Sequence, residues 1–176
     1  MNNQACSIVP ERICVIGVGD AGGNIIGCMA DTWEAGPAIV AVNTDAQALD
    51  ACRAPVKVAI GAGLTRGLGT GGDPKVGRLA AEEEFTALAA LMDNKDLVFI
   101  LAGLGGGTGT GAAPVLARAA HESGALALCF ATLPFDFEGE TPRRRAEQGL
   151  VELRDAADAV ILVPNQTSPQ ALGGMH

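Results

Sequence analysis

A run of seven residues, Gly105–Gly111 (GGGTGTG), separates the most apolar stretch of the chain, Asp96–Ala102 (DLVFILA), from a helix-like run. In that second run Val115, Leu116, Ala119 and Ala120 recur at steps of one, three and four. Five glycines and two threonines leave successive backbone N–H groups almost unshielded, so they can turn inward as a nest. The positive end of the following helix adds to it, and the hydroxyls of Thr108 and Thr110 offer further donors or a cation ligand. A strand, a glycine cradle and a helix in that order restrict the fold to parallel α/β designs and point to a phosphate ligand.

The rest of the chain repeats the alternation. Apolar runs at Arg12–Gly19, Ile39–Val42, Val56–Ile60, Ala125–Leu133 and Ala159–Val163 read as strands that join Asp96–Ala102. Helices are expected over Asn24–Ala30, from Asp73–Pro74 through Ala81, Phe85, Leu88 and Met92, behind the cradle to Gly124, and from Thr141–Pro142 through Ala146, Leu150, Leu153 and Ala157. Gly61–Gly72 is too rich in glycine for an element and reads as a functional loop. The predicted fold is therefore α/β: a Rossmann-like, doubly wound, mostly parallel six-stranded sheet with helices on both faces. Right-handed crossovers would then gather the loops after the strands on one rim.

Charge and composition narrow the ligand classes. A formal charge of −8 argues against nucleic acid as the main partner, because that affinity is built from Lys and Arg. No apolar stretch approaches a membrane span and no leader pattern opens the chain, which predicts a protein without membrane insertion. Cys6, Cys14, Cys28, Cys52 and Cys129 show no paired spacing and read as reduced thiols of a cytoplasmic protein.

Gly17–Gly22 fits G-x-G-x-x-G, a dinucleotide fingerprint that is weak taken alone. No Gly-Lys pair exists, so a P-loop is excluded. An NAD-dependent oxidoreductase would use the first glycine turn with Asp45 but leaves GGGTGTG and GLGTGG without a role. A nucleoside triphosphate uses all three loops, with Asp45 helping to hold a cation or else serving as a cap.

The same residues carry a resemblance. VIGVGDAGGN, AVNTDAQAL, LTRGLGTGGDPKVGR, FILAGLGGGTGTGAAPV, PFDFEG and AEQGL occur in the order and spacing of the tubulin/FtsZ family, over about residues 12 to 166. The resemblance implies GTP or GDP with Mg2+ across the rim. It places Gly19, Gly22 and Gly23 by the phosphates, Gly105, Gly106, Gly107, Thr108, Gly109, Thr110 and Gly111 around them, and Gly71 and Gly72 at the terminal phosphate. Asp45 matches the acid near the cation, Glu138 the ribose contact, and Asn24 and Asn165 the guanine contacts; Asp20, Ala21 and Pro134 complete the nucleotide-binding set.

It also implies a division of the chain into a flexible segment 1–11, a GTP-binding domain 12–166 and a flexible tail 167–176, with the second domain and the synergy loop absent. No catalytic residue is then expected within this chain, and the acid for hydrolysis would come from another subunit. The expected partners are guanine nucleotide and either a second copy or a full-length FtsZ-like polymeriser. Two functions stay open, a GTPase in cell division and a GTP-binding capping module that does not hydrolyse. Three positions depart from the family pattern: Asp20 stands where glycine is usual, and Cys28 and Pro142 where arginine is common. The Arg143–Arg145 run could restore part of that charge.

Overall fold

The structure, a computed structural model, describes residues 9–33 and 36–165. Most of the segment expected over 1–11 and all of the tail expected over 167–176 lie outside the described residues. The six apolar runs become the strands β1 (Ile13–Val18), β2 (Ala38–Asn43), β3 (Val56–Ala59), β4 (Leu97–Gly103), β5 (Leu126–Thr132) and β6 (Ala159–Val163). All pair in parallel, in the order β3-β2-β1-β4-β5-β6. The register sets Val18 beside both Val42 and Ala102, so β1, β2 and β4 end together at one edge.

The helices are α1 (Gly19–Ala30), α2 (Ala46–Ala51), α3 (Ala62–Thr65), α4 (Pro74–Glu83), α5 (Phe85–Ala90), α6 (Thr108–Glu122) and α7 (Glu140–Ala156). Alternate strand residues sort the core into two clusters, as the two-residue period of a strand requires. Cys14, Ile16, Val18, Val98 and Ile100 meet α4, α5, α6 and α7 on one face, while Val15, Ile39, Ala41 and Leu101 meet Ile26 of α1 and Leu49 of α2 on the other. On that second face β5 and β6 are barely covered: Leu126 is 57% and Ile161 45% exposed.

The centre of the thicker layer is α6, buried from Thr108 through Ala117 and again at Ala119 and Ala120. A helix enclosed on every side must be apolar all round, which its alanines, Val115 and Leu116 provide. Full burial of Val115 and Leu116 contributes roughly 1.5–3 kcal/mol each. Close contact with α4 depends on two glycines: a Cβ on Gly77 would fall 3.1 Å from the Thr108 Cα, and one on Gly111 would fall 2.6 Å from the Arg78 nitrogen. At those distances the helix backbones themselves would have to part.

Four expected boundaries differ. The first helix begins at Gly19 rather than Asn24: Gly19 turns the chain at φ 68° and Asp20–Gly23 already belong to the helix. The span Gly61–Gly72 is not loop throughout; its first part folds into the single turn α3, with Gly61 at φ 62° before it. The helix expected to run from Asp73 to Met92 is interrupted at Glu84, whose φ −101°, ψ 16° starts a new helix while Ala81, Leu88 and Met92 all stay in the core. Finally, Thr141 and Pro142 lie inside the first turn of α7 rather than ahead of it. No helix among the described residues is long and apolar enough to cross a membrane.

Candidate functional site

Strand connections reverse direction between β1 and β4, and it is at such a switch point that open parallel sheets bind ligands. A cleft of about 470 Å³ lies there. Gly19, Asp20 and Ala21 enter it from α1, Asn43 and Asp45 from the end of β2, and Leu68–Gly72 from the loop before α4. Gly106–Gly109 come from the start of α6, Pro134, Phe135 and Glu138 from the turn after β5, and Asn165 from the exit of β6.

Two helix N-termini meet at its floor. A Cβ on Gly19 would lie 3.1 Å from the Gly109 nitrogen, so the first turns of α1 and α6 are neighbours. Neither helix has a side-chain cap, whereas α2 and α4 are capped by Asp45 accepting from Ala48 N and by Asp73 accepting from Lys75 N. The first N–H groups of α1 and α6 thus lack intrahelical or capping partners, and the two dipoles add. Such a floor is built for an anion with several oxygens.

The cradle is braced from behind. Thr110 turns away from the cleft, accepting from Gly105 N at 2.8 Å with its methyl against Gly149. Thr108 Oγ1 lies 2.7 Å from Thr44 Oγ1, a buried pair in which either hydroxyl donates. Thr65 Oγ1 donates to the Thr44 carbonyl at 3.2 Å and holds α3 to the same point. Gly105 takes φ 107° and presses on the Pro134 ring. A side chain would strain both the angle and the contact.

The polar rim is equally ordered. Asn43 Nδ2 donates to Asp20 Oδ1 at 2.9 Å, and Asn43 Oδ1 accepts from Asp45 N at 3.2 Å. Glu138 Oε1 accepts from Phe135 N at 2.8 Å, and Asn165 Nδ2 donates to the Leu133 carbonyl at 2.8 Å, tying β6 to β5. Each of the three carboxylates that line the cleft therefore already carries one hydrogen bond.

Of the residues singled out by sequence, Gly19, Asp20, Ala21, Asp45, Gly71, Gly72, Gly106, Gly107, Thr108, Gly109, Pro134, Glu138 and Asn165 line the cleft. Gly22 does not: it is buried where α1 crosses the sheet, against Gly17 and the Leu101 carbonyl. Gly23 and Asn24 line an adjoining hollow of about 340 Å³ with Cys28 and Cys52. Gly105, Thr110 and Gly111 support the cradle from behind rather than facing the ligand space.

In the arginine run, Arg143 pairs with Glu147 and Arg144 with Glu140, while Arg145 reaches Gly72. Asn43, Thr44 and Thr70 were not assigned to the site from sequence. The first two stood in view as polar residues ending a strand, but their partners Asp20 and Thr108 are 23 and 64 residues away. Among the described residues no three His, Cys, Asp or Glu gather as a metal-binding group.

Fold and site define a doubly wound α/β domain with two uncapped helix N-termini meeting at its switch point. The chain belongs to the tubulin/FtsZ family. A profile of the Tubulin/FtsZ family, GTPase domain, matches residues 12–172. The chain is 49% identical over 157 residues to cell division protein FtsZ 1 of Pyrococcus abyssi, a match that covers 89% of this chain and 42% of that protein. A solved structure of an empty FtsZ dimer from M. jannaschii superposes with a TM-score of 0.89 at 42% identity, covering 96% of this chain and 49% of that one. CetZ2 from Haloferax volcanii, solved as a GTPγS-bound protofilament, superposes at 0.79 with 32% identity, over 88% of this chain and 49% of that one. The chain thus spans less than half the length of the curated relatives it matches.

Proposed function

We propose that this chain binds GTP and GDP in the cleft and acts as the nucleotide-binding part of a cell-division or cytoskeletal polymer. The observation that carries this reading is the pair of uncapped helix N-termini meeting below the glycine cradle. The residues present suit a nucleoside triphosphate. N–H groups of Gly19–Ala21 and Gly106–Gly109 would receive the phosphates, and Glu138 and Asn165 would meet the sugar and base end. Mg2+ suits the second carboxylate oxygen of Asp45, since the first caps α2. When bound, the cation neutralises phosphate charge; the chain's own groups fix and orient the nucleotide.

Hydrolysis is proposed to need an acid from another subunit. Asp20 accepts from Asn43 of β2, Asp45 from Ala48 N and Glu138 from Phe135 N, so each carboxylate that lines the cleft is tied by one oxygen to the scaffold, and this reading assigns none of them the attacking water. The reading with GTP binding but no turnover, a module that caps or tunes a longer polymer, is favoured for the chain by itself on the same ground. A cytoplasmic setting suits the free thiols Cys14, Cys28, Cys52 and Cys129.

Titration with GTP by calorimetry, followed by phosphate release with and without a full-length FtsZ, tests these statements. Saturable GTP binding with turnover only in the mixture is expected. Turnover by the chain alone refutes the dependence on another subunit. Absence of GTP binding, or a saturable response to NADH instead, refutes the nucleotide assignment.

A further inference from the structure

Among the described residues no lysine, arginine or histidine lines the cleft itself, Arg145 standing behind Gly72 at its rim, while three carboxylates stand on its walls. Among those three, Asp20 is nearest the floor in the chain, in the first turn of α1 directly after Gly19. It lines both the cleft and the adjoining hollow, and Asn43 does the same, so the pair forms the partition between the two spaces. Asn43 is 4% exposed and is held in turn by Asp45 N, which prevents the amide from following a swinging carboxylate. Arg53, the basic group that lines the hollow, is engaged 2.6 Å from Asp31. Asp20 therefore keeps one carboxylate oxygen beyond its bond to Asn43 at the mouth of the α1 N-terminus, and among the described residues the nearest basic group to the cleft is Arg145 behind Gly72, on the loop before α4.

We propose that Asp20 makes this chain bind its polyphosphate ligand as the divalent-cation complex and reject the bare anion. The inference rests on the nucleotide reading above. A fixed carboxylate repels phosphate oxygens brought to the same helix terminus, and a hard cation that accepts oxygens from both reverses the sign of the interaction. Asp45 stands apart from that helix terminus, at the start of α2, where one oxygen caps α2 and the other suits the cation. Glu138 is held at the opposite end of the cleft, on the turn after β5. Asp20 is in this sense a specificity residue for the form of the nucleotide, acting through charge and position.

The test is equilibrium binding of GTP, read by calorimetry, in Mg2+ and again in excess EDTA. It uses the wild-type chain, Asp20→Gly and Asp20→Asn, each first shown to be folded by circular dichroism and thermal melting. Asp20→Asn keeps a side chain of the same shape beside Asn43, so it separates charge from structure. Wild type should lose on the order of 30-fold more affinity on chelation than either variant, and in EDTA both variants should bind GTP more tightly than wild type. Equal chelation losses in all three proteins overturn the proposal, as does an Asp20→Asn protein that behaves like wild type. If folded proteins bind GTP in neither buffer, the nucleotide reading itself is overturned and this inference falls with it.

Discussion

Replacing Gly111 by alanine sets two familiar effects against each other, and the packing of α4 on α6 decides between them. Alanine is the better helix former by about 1 kcal/mol, so propensity alone predicts a more stable protein. The new Cβ, however, would stand 2.6 Å from Arg78 N and 3.0 Å from the Gly77 carbonyl carbon, and closer still to the Pro74 carbonyl oxygen. All three are backbone atoms of α4, which cannot rotate aside as a side chain would. Restoring ordinary contact requires α4 to retreat by roughly 1 Å along a face that buries Ala80 and Ala81.

Overpacking of this kind costs roughly 1–3 kcal/mol, and two opposed backbones put the cost at the upper end. The net effect should be a loss of about 2 kcal/mol, or a fall in melting temperature of roughly 4–8 °C for a domain of this size. Gly23→Ala is the matched control. It lies inside α1 with nothing within 4 Å of the built Cβ, so propensity acts there unopposed and should raise stability by roughly 0.5–1 kcal/mol. Urea and thermal unfolding of both variants are the assays. A Gly111→Ala protein as stable as wild type, or shifts of the same sign at the two sites, would refute the close-packing account of the cradle's support.

Thr108→Val leaves the buried Thr44 hydroxyl without its partner and should cost roughly 1–3 kcal/mol, while the double variant Thr44→Val/Thr108→Val should recover part of that loss in urea titrations. Asp158 is held below its usual pKa of 3.8 by the hydrogen bond from Ala127 N first and by His121 second. Its contribution is therefore fully present above the unfolded value and fades as pH falls through the folded one. Urea midpoints measured between pH 6 and 2 should converge for wild type and Asp158→Asn at the acid end; a constant gap contradicts this. Burial pushes the thiols of Cys14 and Cys129 up to about 11 and about 12, so at neutral pH a thiol reagent should label exposed Cys28 first and reach those two only with denaturant, as peptide mass mapping would show.

The strands were legible because each is a short apolar run bounded by glycine or a polar turn, and in β1, β2 and β4 burial on both faces makes such runs continuous. Glycine misled at helix starts. Gly19–Gly23 and Thr108–Gly111 read as turn and cradle, yet both are helical, because contact with the sheet and with α4 overrides low intrinsic propensity. The break at Glu84 left no mark, since the apolar spacing runs through it unchanged. Six-residue α2 shows too little periodicity to be read, although Asp45, which caps it, was weighed both as a cap and as a cation ligand. Within the cleft the glycines and acids were visible one by one. Their pairing, Asp20 with Asn43 and Thr44 with Thr108, is a property of neighbouring strand ends that no local window contains.

Helix α6 carries the cradle in its first turn and is also the most enclosed element of the described chain. Under mutation and selection, the ligand site and the scaffold are consequently one target. On the proposed function, a descendant freed from binding nucleotide would still be held to glycine at 111 by α4 and to threonine at 110 by Gly105, merely in order to fold. Loss of that binding would first be written elsewhere, at a residue that lines the cleft and supports nothing, such as Gly106, where a Cβ meets no neighbour and the backbone angle is open to any residue. That open position, more than the motif's buried half, is where drift in function can be read between relatives.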